Sequence, residues 1–192
     1  MPEDNTSVIL EGASRWDALD AAHQELKPWA LKILKDGLDA YAKTIVVEPR
    51  YICKDHRDLY SNFYSKKFIE RSSVCKRLHF FARTGISNAS LLFDSESLVD
   101  DYIGFAVIRP VAKRCIGRTV IDPWLVGRSI KDDYFSLRTS FKTHISGQAL
   151  VARGYPYMSQ DGEATVCAHT ALWGGVQISF REVYQLSGTA PF

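Results

Sequence analysis

Between residues 76 and 155 the sequence carries five short segments that are rich in β-branched and aromatic residues. They run over 77–81, 102–111, 115–121, 134–145 and 148–155. The gaps between several of them are short, and the Ser146-Gly147 pair between the last two is typical of a hairpin turn. Strands spaced in this way predict an antiparallel sheet or a partly closed barrel rather than a series of βαβ units.

The first part of the chain has a helical period instead. Apolar residues recur at three- and four-residue steps from Trp16 to Tyr41, which predicts an amphipathic helix behind a short polar tail. Pro28 cannot donate the helical hydrogen bond, so we expect an interruption or kink near it. Ser14 and Asp17 have the spacing of a capping box at the start of this helix.

A strand and a further helix are predicted before the strand-rich region. Residues 44–47 are largely β-branched and predict a strand that Pro49 ends or places at an edge. Residues 54–68 predict a helix with charges outward, and its inward residues are Leu59, Phe63 and Tyr64. Its basic and aromatic residues also suggest nucleic-acid binding, but its acidic residues and the chain's net charge of only +2 favour a solvated helix face.

The N-terminus and the cysteines bound the class of protein. Residues 1–12 lack the basic start and apolar run of a signal peptide, and no segment has the roughly 18 apolar residues of a membrane span. The four cysteines form no CxxC pair and have no zinc-site spacing; they are Cys53, Cys75, Cys115 and Cys167. We therefore expect a cytoplasmic protein with free thiols, no metal, no cofactor and no membrane partner.

Cys167 is the residue with the clearest chemical meaning. Thr165 is a plausible N-cap of a helix that ends at Gly174-Gly175, which places Cys167 in the first turn. Unpaired amides and the positive end of the helix dipole favour a thiolate there. The amide of Gln160, a few residues upstream, is suited to stabilise a developing oxyanion. The alternative is that Cys167 is a small buried core residue, while the other three cysteines lack such surroundings and are interpreted as structural or incidental.

Residues 156–176 resemble the nucleophile region of papain-like cysteine peptidases, most closely the C39-like branch. The resemblance implies that Cys167 is the nucleophile and Gln160 the oxyanion residue. It also implies hydrolysis of an amide or thioester through a covalent acyl-enzyme, with no metal or cofactor. The upstream segments 102–111 and 117–121 are similar to the strand-rich front part of a bacterial protein group that carries such a cysteine motif.

The general base is left open by the sequence. Papain-like enzymes place their catalytic histidine well after the cysteine, whereas here only His169 follows Cys167. Positions i and i+2 of a helix point about 200° apart, so His169 is a poor partner for Cys167. A base from upstream is the alternative, with His144 as the first candidate and His79 as the second. A lone histidine in a strand is more often a packed or surface residue.

Together these features predict an α+β fold with three regions. N-terminal helices occupy 1–70, a mainly antiparallel sheet or partial barrel occupies 71–155, and 156–192 is a helical segment that bears Cys167 and begins a papain-like part. We expect one compact unit, or the front part of a longer enzyme.

The rival to the hydrolase is a non-catalytic protein-binding or regulatory module. In that interpretation Cys167 is a core residue, and the exposed aromatic residues Trp124, Tyr155 and Tyr157 suit an interface. The expected partner in both cases is a protein or peptide, and nucleic acid is disfavoured.

Overall fold

A computed structural model describes residues 6–23, 26–68, 70–93, 96–111, 113–126, 138–160, 172 and 174–176. In this part of the chain the fold is mixed α+β, as the sequence predicts. The strands are β1 (Val8–Glu11), β2 (Thr44–Tyr51), β3 (Cys75–Phe81), β4 (Tyr102–Ile108), β5 (Ile116–Ile121), β6 (Thr139–Ile145) and β7 (Gln148–Gly154). The helices are α1 (Arg15–Ala22), α2 (Pro28–Leu38), α3 (Lys54–Asn62), α4 (Asn88–Phe93) and α5 (Pro123–Val126), with 3-10 turns at Tyr64–Lys66 and Glu96–Leu98.

The first five strands form one antiparallel sheet in the order β1-β2-β3-β4-β5. The last two strands form a separate antiparallel hairpin that packs on β4 and β5. Ser146 and Gly147 join β6 to β7 with φ values of 49° and 84°, as a tight hairpin turn requires. The antiparallel sheet and this hairpin are confirmed, but the described strands form an open sheet and not a barrel.

The five-stranded sheet is buried on both faces. On one face Ile45, Leu78 and Phe80 pack with residues of α1 and α2, and Trp16 stacks on Phe80 with ring centroids 6.3 Å apart. On the other face alternate residues of the same strands, including Val46, Phe105 and Val107, pack with the hairpin residues Phe141 and Ile145. Burial of both faces explains why β4 and residues 45–47 of β2 are continuously apolar rather than alternating in the sequence.

Two boundaries differ from the prediction because strand pairing decides them. β2 continues past Pro49 to Tyr51, with a register shift between Glu48 and Tyr51. The described β1–β2 ladder ends at Val47, before Pro49, so the missing proline donor breaks none of its hydrogen bonds. Residues 8–11, which we predict to be a polar tail, are instead β1, since they pair along β2.

The helices follow the sequence pattern with local corrections. α1 ends before the proline and α2 begins on it, where no helical donor is needed, so the predicted interruption near Pro28 is confirmed. Ser14 makes no side-chain capping hydrogen bond, so the capping box is wrong. The helix predicted over 54–68 ends at Asn62 and is followed by a 3-10 turn that buries Tyr64.

Near the C-terminus the structure describes residues 172 and 174–176, which are helical. The Gly174-Gly175 pair, predicted to end a helix, is therefore itself helical. The segment that contains Cys167 lies outside the described residues, so the helix expected to carry it stays a prediction. Among the described helices, none combines the length and the apolar character of a membrane span.

Candidate functional site

The segment that leads to the candidate nucleophile is attached to the outer edge of β5. Tyr157 and Thr119 exchange two backbone hydrogen bonds, with N–O distances of 2.7 and 2.8 Å. The amide of Ser159 then donates to the Ile116 carbonyl at 3.2 Å. The chain just before Gln160 therefore extends the sheet instead of leaving it as a free loop.

Arg109 fixes Ser159 from the end of β4. This arginine is buried, and its Nη2 donates to the Ser159 carbonyl at 2.9 Å and lies 3.1 Å from the Ser159 hydroxyl oxygen. The same nitrogen donates to the Arg114 carbonyl at 2.8 Å, and the Ser159 hydroxyl donates to the Ile116 carbonyl. A buried guanidinium is costly without acceptors, so these bonds hold the turn after β4 and Ser159 together. Gln160, the next residue, is exposed and starts from this fixed backbone.

Cys167, Thr165 and His169 lie outside the described residues, so the separation of Gln160 from Cys167 stays a prediction. The helical residues beyond them approach the end of β7. A Cβ built on Gly174 would lie 3.4 Å from the Tyr155 hydroxyl oxygen. Gln160 thus follows a residue bonded to the first residue of β5, Ile116, whereas Gly174 lies near Tyr155, which follows β7.

Four of the five histidines are described, and three of these are buried. They are His23, His56 and His79, with 8, 1 and 0% of their surface exposed. His144 is exposed, because it alternates along β6 with the inward-facing residues Thr143 and Ile145. Among the described residues it is the one imidazole accessible to a substrate.

His144 lines an open cleft of about 460 Å³ between β6 and the adjoining ends of β2 and β3. The cleft is rich in basic groups; its lining includes Glu48, Arg50, Tyr51, Arg77, Lys142 and His144. A different cleft, of about 430 Å³, adjoins Ser159 and is lined by Trp29, Ile33, Lys113, Arg114 and Tyr157. The structure therefore does not bring His144 into the cleft beside Gln160.

A buried polar cluster lies beneath the His144 cleft. Arg77 Nε donates to Glu48 Oε2 at 2.7 Å, its guanidinium carbon lies 4.0 Å from the Tyr51 ring centroid, and Nη2 donates to the His144 carbonyl. His79 lies next to Arg77 on the inner side, with Nε2 3.6 Å from Glu48 Oε2. The ion pair with Glu48 and the hydrogen bond to the His144 carbonyl let Arg77 connect the five-stranded sheet to β6.

His79 is held neutral mainly by its burial. Its Nδ1 lies 2.8 Å from the Tyr102 hydroxyl oxygen, and we assign the ring hydrogen to Nε2 because that nitrogen faces Glu48. Burial lowers the pKa of His79 to about 4, against the opposing effect of Glu48. Burial disfavours ionised Glu48 as well, but the contacts with His79 and Arg77 outweigh it and lower the pKa of that carboxyl. His79 is thus buried, and this burial argues against it as the general base, for which it is the second candidate in the sequence.

The cysteine environments differ from the sequence interpretation in one respect. Cys53, Cys75 and Cys115 are free and buried. Cys53, however, is the N-cap of α3, although its side chain makes no capping hydrogen bond. It therefore lies at a helix start, the kind of position predicted for Cys167, because α3 begins at the next residue, Lys54.

Sequence reasoning missed the ionic residues that organise these regions. Glu48, Arg77 and Arg109 are polar residues within or beside apolar strand segments, and that placement was the available signal. Their partners are distant in sequence, so the pairing itself was not visible. In the described ranges no group of three or more His, Cys, Asp or Glu residues is arranged to hold a metal ion.

Comparisons with known proteins give no relative from which to transfer a function. Neither a protein-family model, nor a curated protein, nor a solved structure matches the chain.

Proposed function

We propose that the protein is a thiol hydrolase of the papain-like type, or part of one, that cleaves an amide or thioester through Cys167. The observation that carries the proposal is the attachment of the preceding segment: Ser159 is fixed by Arg109, and exposed Gln160 follows it directly. An oxyanion donor must be held before the reaction begins, because its effect depends on a fixed dipole. The fixed backbone at Ser159 supports the proposal because it limits where the adjacent Gln160 can lie.

In the proposed reaction the Cys167 thiolate attacks the substrate carbonyl carbon and Gln160 donates its amide N–H to the developing oxyanion. Collapse of the tetrahedral intermediate expels the amine or thiol and leaves an acyl group on Cys167, which water then removes. His144 is the candidate base because its imidazole is accessible, whereas the described His23, His56 and His79 are buried. His144 lies in a different cleft from the one that adjoins Ser159, so its role as the base has to be tested with a His144 variant.

The proposal is tested by the pH dependence of iodoacetamide alkylation, read at each cysteine by peptide mass spectrometry. An activated Cys167 reacts in the folded protein at a pH well below the ordinary thiol pKa of about 8.5. Cys115 is the internal control, since it is buried and burial raises its pKa. If His144 is the base, His144→Ala shifts the Cys167 profile toward an ordinary thiol. Alkylation of Cys167 only after unfolding would contradict the hydrolase.

A second candidate function is the recognition of a protein or peptide without catalysis. The exposed aromatic surface favours it, since Trp124, Tyr155 and Tyr157 are 46, 51 and 53% exposed. Tyr157 also lines the cleft that contains Trp29 and Ile33. Such aromatic residues are common at interfaces. In this case Trp29→Ala weakens peptide binding while Cys167→Ala has no effect, whereas in the hydrolase Cys167→Ala abolishes turnover.

A further inference from the structure

The cleft that contains His144 has the charge of an anion-binding site. Three of the side chains that line it are cations at neutral pH: Arg50, Arg77 and Lys142. Among the described residues that line the cleft, Glu48 is the one acid. Three positive charges and one negative charge leave a net charge of +2 when His144 is neutral. The cleft volume of about 460 Å³ is within the range of small-molecule sites.

Arg77 is a cation that the fold already holds in place. It is only 6% exposed, its Nε donates to Glu48 Oε2 at 2.7 Å, and its Nη2 donates to the His144 carbonyl. Its guanidinium carbon also lies 4.0 Å from the Tyr51 ring centroid. These two hydrogen bonds leave Nη1 without a partner in the described part of the chain. A guanidinium fixed in this way loses little side-chain freedom when it binds a ligand.

The other two cations come from different strands and are exposed. Lys142 and His144 alternate along β6 with the buried Thr143, so both lie on the outward side of that strand. Arg50 is exposed near the end of β2. Because β2, β3 and β6 each contribute one cation, the fold gathers in one cleft three charges that are distant in sequence.

The carboxylate of Glu48 does not cancel this positive charge, because it is already engaged inside the protein. Its Oε2 accepts the hydrogen bond from Arg77 and lies 3.6 Å from His79 Nε2. The Glu48 side chain is 25% exposed, whereas Arg50 and Lys142 both belong to the exposed surface. A ligand that enters the cleft therefore meets mainly cationic groups.

We propose that this cleft binds the phosphate group of a small phosphomonoester. Such a group carries a charge of about −1.5 to −2 at pH 7 and three acceptor oxygens, which matches the charge and the donors of the three cations. Tyr51 and the exposed Ile52 line the same cleft and offer contact to the organic part of the ligand. The nearly balanced charge of the whole chain disfavours nucleic acid. The cleft is not the one that adjoins Ser159, so the proposal goes beyond the hydrolase and does not depend on it.

The test is a titration of the full chain with phenyl phosphate in a phosphate-free buffer of low ionic strength, followed by calorimetry and by amide NMR. We expect saturable binding at one site that shifts the amide signals of Ser146 and Gly147, which line the cleft. Benzoate has the same ring but a single negative charge and two oxygens, so it should bind at least about tenfold more weakly. Added salt should weaken the binding of phenyl phosphate by screening.

Variants of the two exposed cations locate the site without disturbing the buried Arg77. Arg50→Gln and Lys142→Gln each remove one charge and should weaken the binding of phenyl phosphate about tenfold. Arg153→Gln is the matched control, since Arg153 is exposed on the same hairpin but lies outside the described lining of the cleft. It should bind like wild type, and urea unfolding of each variant reports whether it is folded.

Four results would overturn the proposal. They are the absence of saturable binding, a loss of affinity in Arg153→Gln equal to that in Lys142→Gln, full affinity in both Arg50→Gln and Lys142→Gln, and benzoate that binds as tightly as phenyl phosphate. A single-stranded oligonucleotide that binds more tightly than phenyl phosphate and depends on Arg50 and Lys142 would overturn it too, because the cleft would then belong to a nucleic-acid surface.

Discussion

Acid should destabilise this protein through His79. The imidazole is fully buried and its pKa falls from 6.5 to about 4 in the folded state, whereas the unfolded chain titrates near 6.5. Below pH 6.5 the unfolded state therefore binds the extra proton, and stability falls as the pH falls toward 4. Integration of this difference gives a loss of about 2 kcal/mol at pH 5 and about 3 kcal/mol at pH 4, relative to pH 7.

The assay is urea unfolding at pH 7, 6, 5 and 4, followed by tryptophan fluorescence, to which the buried Trp16 contributes. Carboxyl groups also titrate at acid pH. The pKa of Glu48 is lowered in the folded protein, so its protonation adds a loss of stability as the pH falls. The informative quantity is therefore the difference between wild type and His79→Gln, which cannot gain the charge. His144→Gln is the matched control because His144 is exposed. Parallel pH profiles for wild type and His79→Gln would refute the reasoning.

Two further predictions concern backbone contacts and the Ser159 anchor. A Cβ at Gly154 would overlap the Ile121 carbonyl, whereas a Cβ at Gly37 on α2 meets nothing within 4 Å. Gly154→Ala should thus lower the free energy of unfolding by about 2 kcal/mol and Gly37→Ala raise it by about 0.5–1 kcal/mol, both in urea, and the same sign for both would contradict this account. Arg109→Lys should lower the free energy of unfolding by about 2 kcal/mol, because the shorter lysine side chain does not carry its nitrogen to the position from which Nη2 binds the buried carbonyls of Arg114 and Ser159. An unchanged melting temperature of Arg109→Lys would show that the hydrogen bonds from Arg109 to Ser159 do not stabilise the fold.

The sequence predicts the sheet well where local and tertiary preferences agree. The β6–β7 hairpin follows from alternating burial and the Ser146-Gly147 turn, both of which are local properties. β1 is different, because Val8–Glu11 is short and becomes a strand through pairing with β2. Pro49 is likewise tolerated because of where the β1–β2 ladder ends, a fact that no local pattern contains.

The candidate site is predictable only in part, for a similar reason. The sequence indicates Gln160 and Cys167 through their spacing along one segment. It does not indicate that Arg109 fixes Ser159, because these partners come together through the order of the strands. The exposure of His144 and the burial of His79 also follow from which sheet face each strand position occupies.

The most direct test of the proposed hydrolase is acylation by an activated ester, p-nitrophenyl acetate, with release of nitrophenolate and the acetylated residue both measured. We expect a burst of about one equivalent, acetyl on Cys167, and no burst in Cys167→Ala. Gln160→Ala should slow acylation about 100-fold while iodoacetamide alkylation of Cys167, which forms no oxyanion, is unchanged. Acetylation that is equally fast in Cys167→Ala, or unaffected by Gln160→Ala, would contradict the account.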